Sequence, residues 1–142
     1  MLVLEAAFLT VFWAWVGCAI LLFRMTTRPR VAISAPVDSL GLPTETVTFQ
    51  STDGVRLEGW KIPSSTPAQP WVILCHGEGS NRRNLLDIAT RLHRAGFNLL
   101  LVDFRAHGGS GGRSTSFGWR EQRDLEGALA FLGQQPDVPA TP

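Results

Sequence analysis

With 142 residues the chain has room for one modest domain, and part of that length is not globular in composition. A formal net charge of +1 gives no reason to expect a nucleic-acid partner, and two cysteines exclude a disulfide framework. Three histidines and scattered acids show no metal-ligand spacing, and nothing points to a bound cofactor.

The first segment, Leu2 to Phe23, reads LVLEAAFLTVFWAWVGCAILLF. Its only charge is Glu5, and Ala6 to Phe23 runs without interruption. As a helix rising about 1.5 Å per residue it is long enough to cross a hydrocarbon core of roughly 30 Å. Trp13 and Trp15 fall mid-span and make no interfacial belt. A cleaved secretory signal is the competing reading, but no Lys or Arg precedes the run, and apolar sequence continues past Cys18. The expectation is a retained single-pass anchor over 2–23. Arg24, Arg28 and Arg30 follow the span, which places the globular part in the cytoplasm by the positive-inside tendency. Cys18, in the span, and Cys75, in an expected core strand, read as packing residues.

Residues 24–43, with Pro29, Pro36 and Pro43, read as a juxtamembrane linker. In TETVTFQSTDGVRLEGWKIP, Val47 and Phe49 alternate with polar neighbours, as do Val55 and Leu57, around the turn signal Asp53-Gly54. This predicts a β-hairpin near 45–52 and 55–62. After a break from Pro63 to Pro70, WVILC (71–75) has the composition of a strand buried on both faces. Leu85, Ile88, Ala89 and Leu92 recur at helical spacing over 82–95, and Gly96 closes that helix. FNLLLVDF (97–104) is a second buried strand. Arg105 to Ser116 is a glycine-rich loop. A second amphipathic helix is expected over 119–132, with Leu125, Ala128, Leu129 and Leu132 on its inner face. Strand, helix, strand, helix after an antiparallel hairpin predicts an α/β sheet with a right-handed crossover. Its functional groups belong at the carboxyl ends of the strands, His76–Ser80 and Asp103–Gly112.

The turn His76-Gly77-Glu78-Gly79-Ser80 has two glycines and leads into a helix, an arrangement that favours developing negative charge. One reading is an oxyanion hole. Another is a dinucleotide loop, with Asp103 ending the next strand. The third glycine of that fingerprint would fall on Arg82, and Glu78 would sit beside a pyrophosphate, so the nucleotide reading is disfavoured. Cys75 and His76 form no dyad, because neighbouring strand residues face opposite ways. His93, beside Leu92, reads as a solvated surface residue.

GGSGG (108–112) matches G-x-S-x-G, the nucleophile elbow of serine hydrolases. An elbow needs a strand running directly into it and a helix starting directly after it. Here Arg105 to Gly108 separate strand from serine, and Gly111 to Ser116 cannot begin a helix at once. All three histidines precede Ser110, whereas an α/β-hydrolase base follows its serine. Ser110 therefore reads as a loop serine, with Asp103 and Arg105 pairing to brace the loop.

With these residues in view, the chain resembles the amino-terminal half of a membrane-anchored α/β-hydrolase of the serine aminopeptidase-like and acyl-hydrolase branch, over roughly 44–135. The matches are VILCHGEGSNR, GFNLLLVDFRAHGGSGG and TSFGWREQRDLEGALAFL. The middle one is the most specific, since the family carries D-x-R-G-H-G-x-S-x-G after its fourth strand. Asp103, Arg105, His107, Gly108, Ser110 and Gly112 fall on that pattern, and Ala106 replaces its usual glycine.

The resemblance implies that the hairpin supplies strands one and two, WVILC strand three and FNLLLVDF strand four, with strand four between two and three. The backbone N–H of Glu78, after His76 and Gly77, would be one oxyanion donor, its carboxylate turned away from the reacting carbonyl. Nucleophile, acid and base, with the second oxyanion donor, would lie after residue 142. Residues 44–142 would then be an incomplete hydrolase domain, inactive and marginally stable alone. The full lineage would cleave a small acyl or peptide substrate, and a separately encoded C-terminal half is a possible partner. The alternative is a non-catalytic, membrane-anchored interaction module.

Overall fold

The computed structural model describes residues 2–27, 29–31, 33, 41–65, 69–136 and 138. Much of the expected linker therefore lies outside the described residues. Helix α1 spans Leu2–Thr26, three residues past the expected end. None of its apolar window is buried against the rest of the chain. By length and composition it meets the requirement for a membrane span, which a signal sequence near an N-terminus meets equally.

The domain is a four-stranded mixed sheet of β1 (Glu45–Gln50), β2 (Arg56–Ile62), β3 (Trp71–Cys75) and β4 (Asn98–Asp103), in the order β1-β2-β4-β3. β1 and β2 form the expected antiparallel hairpin. β4 pairs antiparallel with β2 and parallel with β3. At the hairpin tip Gly54 takes φ +81°, the left-handed conformation that glycine tolerates best. Ser51 closes the turn, its Oγ accepting from Val55 N at 2.8 Å.

Between β3 and β4 the chain makes a 3₁₀ turn (Arg82–Leu85) and helix α2 (Leu86–Arg94). Asn81 caps the turn by accepting from Arg83 N at 3.0 Å. Helix α3 is Glu121–Gly133. The helices cover opposite faces of the sheet. Trp60, Ile62, Leu99 and Leu101 pack with Ala89 of α2; Val47, Phe49, Leu57, Leu100 and Val102 pack with Ala128 and Leu132 of α3. β4, central and covered on both faces, is buried throughout.

Several expectations are corrected. β3 is not buried on both faces: at the edge of the described sheet its first four residues are half-buried, and Cys75 is exposed rather than packed in the core. The core extends upstream of residue 44, for Leu42 is buried and Ile33 packs against the α2 side. The inner face of α3 is rotated from the one expected: Leu125 and Leu129 are exposed, while Asp124, Gly127, Ala128 and Leu132 are buried. Gly127 explains the close fit, because a Cβ there would run into the carbonyl of Gln50 and lie 2.7 Å from Ser51 Cα. His93 is half-buried, with Nε2 3.0 Å from the Pro63 carbonyl.

Candidate functional site

The turns after β3 and β4 meet at the carboxyl end of the sheet, as the topology requires. They lock together through their histidines. His76 Nε2 accepts from Phe104 N at 3.1 Å, and His107 Nε2 accepts from Gly79 N at 3.3 Å. Each imidazole thus accepts a hydrogen bond from a backbone N–H of the other turn. A nitrogen that accepts carries no proton, so this arrangement puts each ring's hydrogen on Nδ1. Those protons go to the Gly77 carbonyl (2.8 Å) and the Arg105 carbonyl (2.9 Å). The rings lie 4.9 Å apart, centroid to centroid.

The His76 bond to the Gly77 carbonyl orients one peptide plane. Ser80 N also donates to that carbonyl, at 3.3 Å. In a trans peptide C=O and N–H point in opposite directions, so gripping the Gly77 carbonyl fixes the direction of the Glu78 N–H. Among the described residues no acceptor meets that N–H. The Glu78 carboxylate is drawn to Thr115, 3.2 Å from its Oγ1, and lies 3.8 Å from His107 Nε2. A pocket of about 290 Å³ opens here, lined by His76, Gly77, Glu78, Phe104, His107 and Phe117 among others.

Asp103 and Arg105 do not pair with each other. β4 ends at Asp103, so Arg105 lies beyond the strand and need not share the face of Asp103. The Asp103 carboxylate, fully buried, accepts from Arg82 Nη1, from Arg82 N at 2.7 Å and from Gly109 N at 2.8 Å. Arg82 also bonds Glu58 and lies over the Trp60 ring, 4.6 Å from its centroid. Burial works to raise the Glu58 carboxyl but is outweighed by Arg82 and Arg56, and the net shift is downward. Position 82, where a nucleotide fingerprint wants glycine, is thus an internal ion-pair partner of the acid that fingerprint would assign to the ribose. Arg105 reaches the other way, with Nη2 2.7 Å from Asp124 Oδ1 and 2.7 Å from Asp53 Oδ1. Hydrogen bonds to Arg105, then to Ser51, hold the Asp53 carboxyl well below the usual range.

Ser110 is completely buried. Its Oγ donates to the Asp103 carbonyl at 2.6 Å and accepts from Glu58 N at 2.9 Å. The loop therefore folds back against β2 rather than presenting its serine to the pocket. Gly108, at φ +44°, lies against the Asp103 carboxylate, where a Cβ would collide. Ala106 sits at φ +61°. The left-handed region costs a side chain about 1–2 kcal/mol, against which a glycine loses about 0.5–1 kcal/mol of chain entropy. Ala106→Gly is expected to stabilise the domain by about 0.5–1 kcal/mol, read as a higher urea midpoint at unchanged slope.

Sequence reasoning missed Glu121 and Thr115. Glu121 accepts from Ser116 N (2.9 Å), Ser116 Oγ (2.7 Å) and Gly118 N (2.8 Å), with Thr115 Oγ1 at 3.0 Å. Burial pushes its carboxyl up, but these donors prevail and hold it at about 2. The signal was a Ser-x-x-x-x-Glu spacing at the head of a helix, close to a capping box. Among the described residues no three His, Cys, Asp or Glu groups converge as metal ligands.

The His76 pKa is lowered, chiefly by burial, partly offset by the Gly77 carbonyl. The unfolded chain therefore takes up the proton first as pH falls below about 6.5. Stability from the neutral ring is present above that value and is lost progressively toward the lowered folded pKa. Hydrogen exchange at Phe104 N–H, corrected for its intrinsic pH dependence, is expected to accelerate over this interval in the native chain and not in His76→Gln.

No family model matches the chain. It is 34% identical over 121 residues to protein YfhR of Escherichia coli, covering 78% of this chain and 42% of that protein. The chain spans 27–42% of the length of such curated relatives. In structure it is similar to the Pyrococcus furiosus esterase Pf2001, with TM-score 0.70 and 30% identity over 80% of this chain and 43% of that one. It is also similar to the α/β-hydrolase GrgF from Penicillium, with TM-score 0.58 and 27% identity over 69% of this chain and 35% of that one. The mixed sheet and its flanking helices are thus a partial α/β-hydrolase fold.

Proposed function

We propose that the chain is the amino-terminal part of a serine hydrolase, tethered by α1 to a membrane with its domain on the cytoplasmic side. The whole enzyme cleaves an ester, thioester or amide of a small acyl or peptide substrate by acyl transfer. In this reading Glu78 N–H is one donor of the oxyanion hole, and His76 is a positioning residue that aims it. Nucleophile, acid and base come from elements outside this chain, either as its continuation or as a separate C-terminal half.

The observation that carries the reading is the Gly77–Glu78 peptide, held by its carbonyl beside a pocket while its N–H meets no acceptor among the described residues. A preorganised amide of this kind stabilises developing negative charge without reorganising during the reaction. The likeness to an esterase supports the same chemistry and does not favour a non-catalytic module. Ser110 Oγ, buried with both a donor and an acceptor engaged, belongs to the scaffold in this account.

A fluorophosphonate probe tests both halves of the proposal. The purified 142-residue chain is expected to stay unlabelled, and an adduct on Ser110 would refute the scaffold role. In native membranes, the species captured by an antibody to the exposed face of α3 is expected to carry the label. Its absence there would refute the hydrolase reading.

A further inference from the structure

The loop between β4 and α3 is fastened to the end of α1. Thr115 N donates to the Thr26 carbonyl at 2.9 Å, and Arg30 Nη2 donates to the Gly112 carbonyl at 2.6 Å. Asn81 Nδ2 completes the attachment at the Val31 carbonyl, 3.0 Å away. A narrow cleft lined by Thr26, Val31, Glu78, Ala106, His107 and Thr115 marks the seam.

From this seam two large aromatic residues project. Phe117 is 55% exposed and Trp119 is 77% exposed. Their exposure is built rather than casual. Phe117 adopts φ +52°, an outlying conformation for a bulky side chain, and Gly118 follows at φ +106°. The four bonds of Glu121 to residues 115–118 hold this shape. These bonds over-determine a strained backbone, so the exposure of the two rings is held in place. Exposed Arg113 and half-buried Arg120 flank the pair.

The geometry points to a membrane-contacting lip, residues 113–120, whose Phe117 and Trp119 enter the headgroup layer beside α1. The occupant is the bilayer surface itself, and the inference rests on α1 being a membrane span. Thr26 lies three residues beyond Phe23, about 4.5 Å along the axis, within an interfacial layer about 5–7 Å thick on each side. Trp119, four residues from the Thr26-bonded Thr115, is within about 14 Å of that point even for extended chain. Tryptophan prefers this depth, and arginines favour anionic headgroups. α1 itself carries its tryptophans mid-span, so the lip supplies the aromatic anchor on this side. Phe117 also lines the pocket, so the lip borders it.

The test is depth measurement by nitroxide labels on the full chain in nanodiscs of phosphatidylcholine and phosphatidylglycerol at about three to one. Labels are placed by Trp119→Cys, by Val11→Cys in α1 and by Arg94→Cys at the far end of α2, each in a Cys18→Ala, Cys75→Ala background. The ratio of oxygen to nickel-chelate accessibility at 119 is expected to exceed that at 94 by about threefold or more, with 11 higher still. A ratio at 119 equal to that at 94, with 11 deep, overturns the lip and leaves the anchor standing. A ratio at 11 equal to that at 94 removes the anchor and the lip together.

Discussion

Arg105→Ala is expected to lower the unfolding free energy by about 3–5 kcal/mol, the cost of stranding a buried charge. The Asp124 carboxylate is fully buried and takes bonds from Arg105 N, Nε and Nη2. Without the guanidinium it retains one backbone donor. Asp53 is less affected, since it is partly exposed and keeps Arg123 at 3.2 Å. A single domain has about 5–15 kcal/mol in all, so the loss is a large share. Removing the whole charge pair with Arg105→Met and Asp124→Leu is expected to cost less than Arg105→Ala alone, because no ion is left unpaired. Urea midpoints followed by tryptophan fluorescence and far-ultraviolet dichroism decide the matter. A single variant within about 1 kcal/mol of the parent would refute the assignment.

Asp103→Asn is expected to be nearly as damaging, about 3–5 kcal/mol, although it preserves the side chain's shape. The carboxylate receives three donors, two from Arg82 and one from Gly109. An amide turns one acceptor oxygen into a donor facing a donor. It also leaves Arg82, 3% exposed, with Glu58 as its one carboxylate partner. If charge dominates, Asp103→Asn and Asp103→Ala lose similar stability, and Gly109 N–H exchanges faster in both. If shape dominates, asparagine is mild and alanine is not.

These ion pairs mark what the sequence could not convey. The hairpin was legible because Asp53-Gly54 sits between two alternating runs. β4 was legible because a continuous apolar stretch ends at Asp103. Partners across 19 to 52 residues are another matter, since nothing local couples Arg105 to Asp124 or Asp53. Adjacency suggested Asp103 and Arg105 to each other, and tertiary packing chose otherwise. The same cause misplaced the inner face of α3. Asp124 reads as solvent-facing until Arg105 neutralises it, and Gly127 reads as a weak helix residue until β1 is seen to need its missing side chain. At the site, the histidines' cluster was visible at the strand ends, but the reciprocal hydrogen bonds they accept from backbone amides depend on two turns meeting. Ala106 was a departure from a pattern; its positive φ gives the physical reason glycine suits that place.

The strand order also governs how the chain is made. β2 and β3 are not paired with each other in the described sheet; each pairs with β4, which follows both in the chain. Asn98 leaves the ribosome about three dozen residues after Ile62, which at about 5–20 residues per second is a delay of roughly 2–7 s. Throughout it the inner margin of β2 lacks its match, and so does that of β3 once it is made, the situation in which nascent polypeptides stick to one another. Cellular yield therefore depends on whatever shields those margins until the middle of the sheet arrives.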